Sequence, residues 1–156
     1  IAAETEALVE DLRSRRTGVV WISDFLSRGK IIQLLSCSTA FVTPSIYEPL
    51  GIVNLEAMAV GLPVVGTKTG GIPDCIEDGV TGTLVPIEQL DDGTGTPVHP
   101  EAFEADLASA LEAVCADPEK ARKMGAAGRK RVEEHFSWES IALKTMDFYR
   151  DVIAGL

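Results

Sequence analysis

Hydrophobic residues in the first half of the chain fall into short continuous runs, separated by longer segments of mixed polarity. The runs are brief and rich in β-branched residues, which is typical of β-strands. They are Gly18–Ile22, Ala40–Thr43, Pro63–Gly66 and Gly82–Val85. The segments between them have apolar residues at helical spacing or end at glycine and proline, and so predict helices. These predicted helices are Thr5–Arg16, Lys30–Leu35 and Leu50–Ala59, with one helical turn within Ile72–Glu77.

Strands that alternate with helices predict βαβ crossovers and therefore a parallel sheet. The predicted strands are apolar at successive positions, so helices should cover both faces of the sheet. After Pro86 the pattern changes to a turn-rich surface loop, Asp91–Pro97, followed by helices alone. We expect these helices at Phe103–Cys115 and from Pro118 to about Glu134, with a last one whose N-cap is Ser137. The prediction is one α/β domain closed by C-terminal helices.

Composition supports a single globular domain and limits the classes of partner that it can bind. The chain has 156 residues, of which 46% are hydrophobic and 24% charged, and its 14 basic and 24 acidic residues give a net charge of −10. Such a charge argues against general nucleic-acid binding, although a helix end can still bind phosphate locally. No apolar run approaches the roughly 18 to 20 residues of a membrane span, and no signal peptide is visible. We therefore expect neither nucleic-acid nor membrane partners.

Two groups of side chains have a simple interpretation. Cys37, Cys75 and Cys115 are odd in number and widely spaced, which favours neutral thiols in a reducing cytoplasm. With no CxxC motif and only two histidines, no metal site is expected. A basic cluster is interleaved with glutamates at helical spacing, so a solvated helix face is favoured over an anion site. The cluster comprises Lys120, Arg122, Lys123, Arg129, Lys130 and Arg131.

The segment around the third predicted helix carries the candidate chemistry. Between Leu50 and Gly66 only Asn54 and Glu56 are polar. A helix that is apolar nearly all round should be buried, and a buried carboxylate needs a partner. Glu48 lies eight residues before Glu56, in a loop that leads into the helix N-terminus. In an open α/β sheet this is the crevice at the carboxyl ends of the strands, where ligands bind.

These parts match the chemistry of a sugar nucleotide. The N–H groups of Leu50, Gly51, Ile52 and Val53 should be free at the helix start, where the dipole favours a diphosphate. Carboxylates accept hydrogen bonds from paired sugar hydroxyls, so one can hold a hexose and the other a ribose. A structural alternative is equally open at this point. In it Glu48 is a favourable N-terminal charge, and Glu56 meets a buried arginine.

A continuous motif of about 45 residues extends beyond these two carboxylates. Glu48 and Glu56 form E-x7-E within Pro44-Ser-x-x-Glu-x-x-Gly-Ile-Val-x-Leu-Glu-Ala-Met-Ala-x-Gly-x-Pro-Val-Val, followed by Gly70-Gly71 and Asp78-Gly-x-x-Gly82. The motif resembles the retaining GT-B glycosyltransferases of family 4. The amino-acid sequence of the motif is most similar to that of actinobacterial-type glycogen synthases, which use ADP-glucose and include relatives that make α-maltose 1-phosphate. The similarity extends to Phe136-Ser-Trp138 and the last helix.

The resemblance implies an architecture and a reaction. Residues 1–156 would be an incomplete, Rossmann-like C-terminal domain of a longer two-domain enzyme, and residues 137–156 a helix that crosses back to the N-terminal domain. Glucose would be transferred with retention from ADP-glucose to an α-glucan or to glucose 1-phosphate, without an essential metal or other cofactor. The acceptor would bind through the N-terminal domain, and the family's diphosphate-binding Arg and Lys would precede Ile1. The chain alone would then be inactive.

The resemblance also assigns roles to residues. Glu48 would be the catalytic carboxylate and hold hydroxyls of the donor glucose, and Glu56 would bind the ribose. The backbone of Leu50, Gly51, Ile52 and Val53 would contact diphosphate and sugar. Leu26 would touch the base, and Thr69, Gly70 and Gly71 would line the donor crevice. The alternatives are a family 4 enzyme using a UDP- or GDP-sugar, a non-catalytic nucleotide-binding module and a hydrolysing sugar-nucleotide epimerase.

Overall fold

A computed structural model describes residues 2–155. Within these residues the chain forms three β-strands and seven α-helices. The strands are β1 (Phe41–Thr43), β2 (Val64–Thr67) and β3 (Gly82–Val85). The helices are α1 (Ala2–Arg15), α2 (Arg28–Ser36), α3 (Ile52–Ala59), α4 (Ile72–Cys75), α5 (Pro100–Ala116), α6 (Pro118–His135) and α7 (Trp138–Ala154).

The three strands form one parallel sheet in the order β1-β2-β3. Thr43 lies opposite Gly66, and Val65 lies opposite Thr83. Helix α3 connects β1 to β2, and α4 connects β2 to β3, so each connection is the crossover that parallel strands require. The α/β class, the parallel sheet and these three predicted strands are confirmed.

Successive strand residues contribute to two hydrophobic clusters on opposite faces of the sheet. Val64 and Leu84 belong to a cluster with Met58, Ile72 and Ile76 of the α3–α4 side. The next residues along the strands, Val65 and Val85, belong to a second cluster with Val114 of α5 and Ala121 and Met124 of α6. Adjacent side chains of a strand point to opposite faces, so both faces are covered. This confirms the expectation drawn from strands without polar alternation.

The prediction of a strand at Gly18–Ile22 is wrong. The segment has no regular secondary structure, and Val20 is 79% exposed. A strand is stabilised by a hydrogen-bonded neighbour, and β1, the edge strand on this side, pairs only with β2 in the described part of the chain. Without such a partner the apolar run forms no strand.

The predicted helices are confirmed, with small shifts at their ends. One of these shifts concerns the start of α3, which begins at Ile52 instead of Leu50 because Gly51 has a φ of 81°. A left-handed residue cannot be part of a right-handed helix, so Gly51 becomes the N-cap. Ser137 is the N-cap of α7, and its Oγ accepts a hydrogen bond of 3.1 Å from the Ser140 N–H.

The C-terminal helices differ in how they pack. Helices α5 and α6 contribute buried residues to the core, whereas every residue from Ile141 to Gly155 is exposed.

The described helices include none long and apolar enough to cross a membrane. On α6, five of the six residues of the basic cluster are exposed, and three of them form i,i+4 ion pairs with glutamates, such as Arg129 with Glu133, which confirms a solvated face. Arg131 is the exception, because it reaches back to α4.

Candidate functional site

Two loops at the carboxyl end of the sheet form the candidate site. The first, residues 44–51, runs from β1 to α3, and the second, residues 68–71, runs from β2 to α4. Because β1 and β2 are parallel neighbours, their following loops emerge side by side at one edge of the sheet. Most of the residues to which a role was assigned lie in these loops or in the first turns of α3.

Glu48 is positioned by the start of α3. Its Oε1 accepts a hydrogen bond of 3.1 Å from the backbone N–H of Gly51, and the residue is half-buried. A carboxylate there interacts favourably with the helix dipole. The structure thus corrects the expectation that the Gly51 N–H is free: it is occupied by Glu48. Glu48 therefore acts as the favourable N-terminal charge of the structural alternative. Its carboxylate occupies an N–H group that was predicted to bind a diphosphate.

The two loops are joined through their main chains. The Gly71 N–H donates to the Glu48 carbonyl oxygen at 2.8 Å, and the Thr69 hydroxyl lies 3.3 Å from the Ile46 carbonyl oxygen. A Cβ at Gly70 would overlap the Glu48 carbonyl, and one at Gly71 would overlap the Pro49 carbonyl. Residues with side chains do not fit at this contact, so the Gly-Gly pair permits it. The structure therefore brings the predicted residues Thr69, Gly70 and Gly71 against the Glu48 loop.

Cys75 is hydrogen-bonded to the loop that carries Glu48. Its Sγ–H donates to the Leu50 carbonyl oxygen at 3.0 Å, and the residue is fully buried. Burial raises the pKa of the Cys75 thiol to about 11, and the charge of Asp74 adds to this effect while that of Arg131 opposes it. The thiol is therefore neutral at physiological pH, as expected from the sequence. Cys37 and Cys115 are exposed and also free.

Arg131 ties α6 to the end of α4, next to Cys75. Its guanidinium donates to the carbonyl oxygens of Cys75 at 2.9 Å and Asp74 at 3.0 Å. Its side chain is 26% exposed, and the guanidinium lies 5.7 Å from the ring centroid of Phe136. Carbonyl groups at a helix C-terminus lack hydrogen-bond donors within the helix, and the Arg131 guanidinium supplies those donors here.

Sequence reasoning missed a buried polar pair between β1 and α3. Asn54 is 0% exposed, and its Oδ1 accepts a hydrogen bond from the Thr43 hydroxyl. The Asn54 Nδ2 is buried and has no hydrogen-bond partner among the described residues. The available signal was a single amide in an otherwise apolar helix, which indicates a buried hydrogen-bonding role but does not identify the partner.

Glu56 lies on a different side of α3 from Glu48. It is half-buried and lines a cleft of about 160 Å³ between α2 and α3, together with Arg28, Ile31, Ile32, Leu35, Ala59 and Val60. No ion pair of Glu56 occurs among the described residues, and Arg28 is exposed, so the alternative of a buried arginine partner is wrong. The premise of an entirely buried helix also needs correction, because Ile52 is 63% exposed. Glu56 is solvated at the edge of a cleft, which removes the need for a compensating partner.

Leu26 lies outside the two loops, in the irregular segment before α2. It is half-buried and lines clefts with Ile22 and Ile31. Ile31 also lines the cleft of Glu56, so α2 links the two positions. The structure thus groups Glu48 with residues 69–71, and places Leu26 and Glu56 along α2.

These elements together offer hydrogen-bond acceptors beside helix-start donors. The N–H groups of Ile52 and Val53 belong to the first turn of α3, where the helix dipole favours an anion. The side chains of Tyr47, Leu50 and Ile52 are exposed around this helix start. The described residues contain no group of three side chains arranged to hold a metal ion. The chemistry available is anion binding plus recognition of hydroxyl groups by carboxylates.

Comparison with known proteins places this geometry in a family context. Residues 16–131 match the family described as glycosyl transferases group 1. The chain is 48% identical, over 154 residues, to α-maltose-1-phosphate synthase of Mycolicibacterium smegmatis, and covers 99% of its own length but 38% of that protein. It is 32% identical over 124 residues to glycogen synthase of Mycobacterium tuberculosis, covering 80% of this chain and 27% of that protein.

A solved structure shows the same fold. Sucrose-phosphate synthase from Thermosynechococcus elongatus superposes with a TM-score of 0.75 at 32% sequence identity, over 99% of this chain and 35% of that one. The chain thus spans 38% of the length of the α-maltose-1-phosphate synthase and 35% of the length of the sucrose-phosphate synthase. Its similarity to them lies in one portion of longer proteins.

Proposed function

The chain belongs to the group 1 glycosyltransferases, and on that premise we propose that it is the donor-binding part of a retaining enzyme of the glycogen synthase type. The proposed reaction moves glucose from ADP-glucose to an α-glucan or to glucose 1-phosphate. The bond between the sugar C1 and the diphosphate oxygen breaks, and a bond from the acceptor oxygen to C1 forms on the same face. The acceptor proton passes to the departing phosphate.

The observation that carries this proposal is the Glu48–Gly51 arrangement backed by Gly70 and Gly71. It holds a carboxylate within 3.1 Å of a helix-start N–H, at the carboxyl end of a parallel sheet. In the proposed complex Glu48 accepts from hydroxyls of the donor glucose, and the backbone from Leu50 to Val53 contacts the sugar and diphosphate. Preorganised donors and acceptors of this kind stabilise developing charge without reorganisation.

Glu56 and Leu26 have proposed roles at the nucleoside end of the donor. Glu56 accepts from the two ribose hydroxyls, in the cleft that it shares with Arg28. Leu26 contacts the base, and Ile31 lies between these two positions. No metal or other cofactor is assigned to the reaction.

The proposal extends to the domain organisation. Residues 1–156 form an incomplete C-terminal nucleotide-sugar-binding domain, and residues 137–156 form a helix that packs against an N-terminal acceptor domain. The exposed apolar side chains of α7 support this, as does the small share of each relative that the chain covers. Alone, the chain is then expected to bind the donor without turning it over.

Substitution of the two carboxylates in the complete enzyme tests the site. Glu48→Ala should lower kcat/KM by well over tenfold, since each 1.36 kcal/mol of lost transition-state binding is a factor of about ten. Glu56→Ala should mainly raise the KM for ADP-glucose. Glu104→Ala, an exposed carboxylate on α5, is the matched control and should leave both parameters unchanged. Wild-type kinetics in both site variants would contradict the roles assigned here.

Donor choice requires a separate measurement. Thermal shifts of the wild-type protein with ADP-, UDP- and GDP-glucose should be largest with ADP-glucose, because at equal concentration the ligand that binds most tightly stabilises the folded state most. A larger shift with UDP- or GDP-glucose would assign the protein to another branch of the family. Binding without transfer by the complete protein would indicate a non-catalytic module.

A further inference from the structure

Asn54 has a hydrogen-bonding capacity that the free protein does not use. Its amide is fully buried, its Oδ1 accepts from the Thr43 hydroxyl, and its Nδ2 has no hydrogen-bond partner within residues 2–155. Buried polar groups are nearly always paired, so an unpaired N–H inside a candidate site requires an explanation.

The unpaired Nδ2 faces the same small space as the side chain of Glu48. A Cβ built on Gly51 would overlap the Asn54 Nδ2 and would lie 3.3 Å from the Glu48 Cγ. Both groups therefore border the space next to the Gly51 Cα.

We propose that Asn54 is a positioning residue that acts through Glu48. In the free chain Glu48 accepts from the Gly51 N–H. When the donor takes that N–H, rotation about the last bonds of the Glu48 side chain brings its carboxylate to the Asn54 Nδ2. The second half of this exchange rests on the proposed function, since it needs a ligand at the helix start. The exchange keeps the Glu48 carboxylate hydrogen-bonded in both states, because a charged acceptor forms a stronger hydrogen bond with an N–H donor than a neutral one does.

The first experiment compares the free chain with the chain saturated with ADP-glucose. In the chain with labelled Asn side-chain amides, the NMR signals of the Asn54 Nδ2 protons should move downfield on saturation, because the Glu48 carboxylate then accepts from them. In Glu48→Gln this shift should be much smaller, since a neutral amide is a weaker acceptor. Asn54 signals that stay in place when the donor binds would overturn the proposal.

The second experiment compares two variants that disturb the same buried pair. Asn54→Leu removes the Nδ2 donor, whereas Thr43→Val removes the hydroxyl and leaves that donor in place. Asn54→Leu should weaken ADP-glucose binding by about tenfold in calorimetry, and Thr43→Val by less than about twofold. In the Glu48→Gln background, Asn54→Leu should have no further effect, because its role passes through that carboxylate.

The outcomes separate this inference from the proposed function. Equal losses of affinity in Asn54→Leu and Thr43→Val, or an undiminished effect of Asn54→Leu in Glu48→Gln, would assign Asn54 a merely structural role and overturn the proposal. If the wild-type chain binds no sugar nucleotide, the proposed function fails, and the exchange that depends on it fails as well. If the chain binds ADP-glucose while the Asn54 signals stay in place, only this inference fails. If Asn54→Leu does not fold, the donor-induced shift in the wild-type chain still decides.

Discussion

Gly51 meets two conditions that a residue with a side chain cannot meet together. Its φ of 81° lies in the left-handed region, and a Cβ there would overlap the Asn54 amide. The first condition costs most residues about 1 kcal/mol or more, and the second adds a steric clash in a buried place. The glycine thus allows the chain to turn sharply into α3 while Glu48 bonds to its N–H.

Gly51→Ala should therefore destabilise the fold by roughly 2–4 kcal/mol in urea unfolding. Gly79→Ala is the matched control, because Gly79 has a φ of 75° but has no atom within 4 Å of its added Cβ. The control should cost only the conformational part, about 1–2 kcal/mol. Equal losses in the two variants would show that the space between Gly51 and Asn54 is larger than the structure indicates.

Residues of the site differ in how far the sequence predicts them. Glu48, Gly70 and Gly71 lie in loops at element ends, as their spacing predicts, whereas Gly51 is the N-cap of α3 and not a residue of the predicted helix Leu50–Ala59. The bond between Thr43 and Asn54 was not predicted, since it depends on how β1 and α3 face each other across 11 residues. The capping of Gly51 by Glu48 likewise depends on a side-chain rotamer, which no pattern of polarity determines.

At the scale of elements, α4 is a short helix that needs support from outside. It has four residues, and isolated helices of this length are not stable in water. Arg131 of α6 binds its last two carbonyl oxygens, and the Cys75 thiol joins it to Leu50. These contacts connect the far side of the domain to the loop that carries Glu48.

Arg131→Ala should lower the free energy of unfolding by about 1.5–3 kcal/mol, because the carbonyl oxygens of Cys75 and Asp74 lose a charged donor. Arg129→Ala, two residues earlier on α6, removes an exposed i,i+4 pair and should cost less than about 0.5 kcal/mol. Chemical denaturation of both variants measures the difference. Similar losses in the two variants would mean that the hydrogen bonds of Arg131 to α4 stabilise the fold no more than an exposed ion pair does.

The error at Gly18–Ile22 also belongs to the scale of elements. An apolar, β-branched run has the local propensity for a strand, but a strand forms only beside a partner with free backbone groups. The elements with partners within the described chain, β1, β2 and β3, were predicted within one residue at each end. Local pattern therefore succeeded where pairing was available and failed where it was absent.

For the whole molecule, α7 stands apart from the core. Its residues from Ile141 onward are exposed, including Leu143, Phe148 and Ile153. An exposed apolar stripe of this extent usually marks an interaction surface. The stability of the remaining domain should depend little on it, whatever it contacts in a longer protein.

Deletion of residues 137–156 should change the Tm of the chain by no more than about 3 °C and should raise its solubility, since apolar surface is lost and little core is disturbed. Deletion of residues 117–156 is the contrasting variant. It removes Ala121 and Met124 from the core and should abolish cooperative unfolding. Calorimetric scans of both would show it, and a large drop in Tm in the shorter deletion would contradict this description of α7.

The loops that meet at Glu48 and Gly71 are fastened through main-chain atoms, whereas the side chains of Leu50, Ile52 and Val53 face outward. A protein engineer could therefore exchange these three outward residues in a library without loosening the frame that holds them. Ligand preference and foldability would then be adjustable nearly independently, which is a useful property in a scaffold intended for altered sugar selectivity.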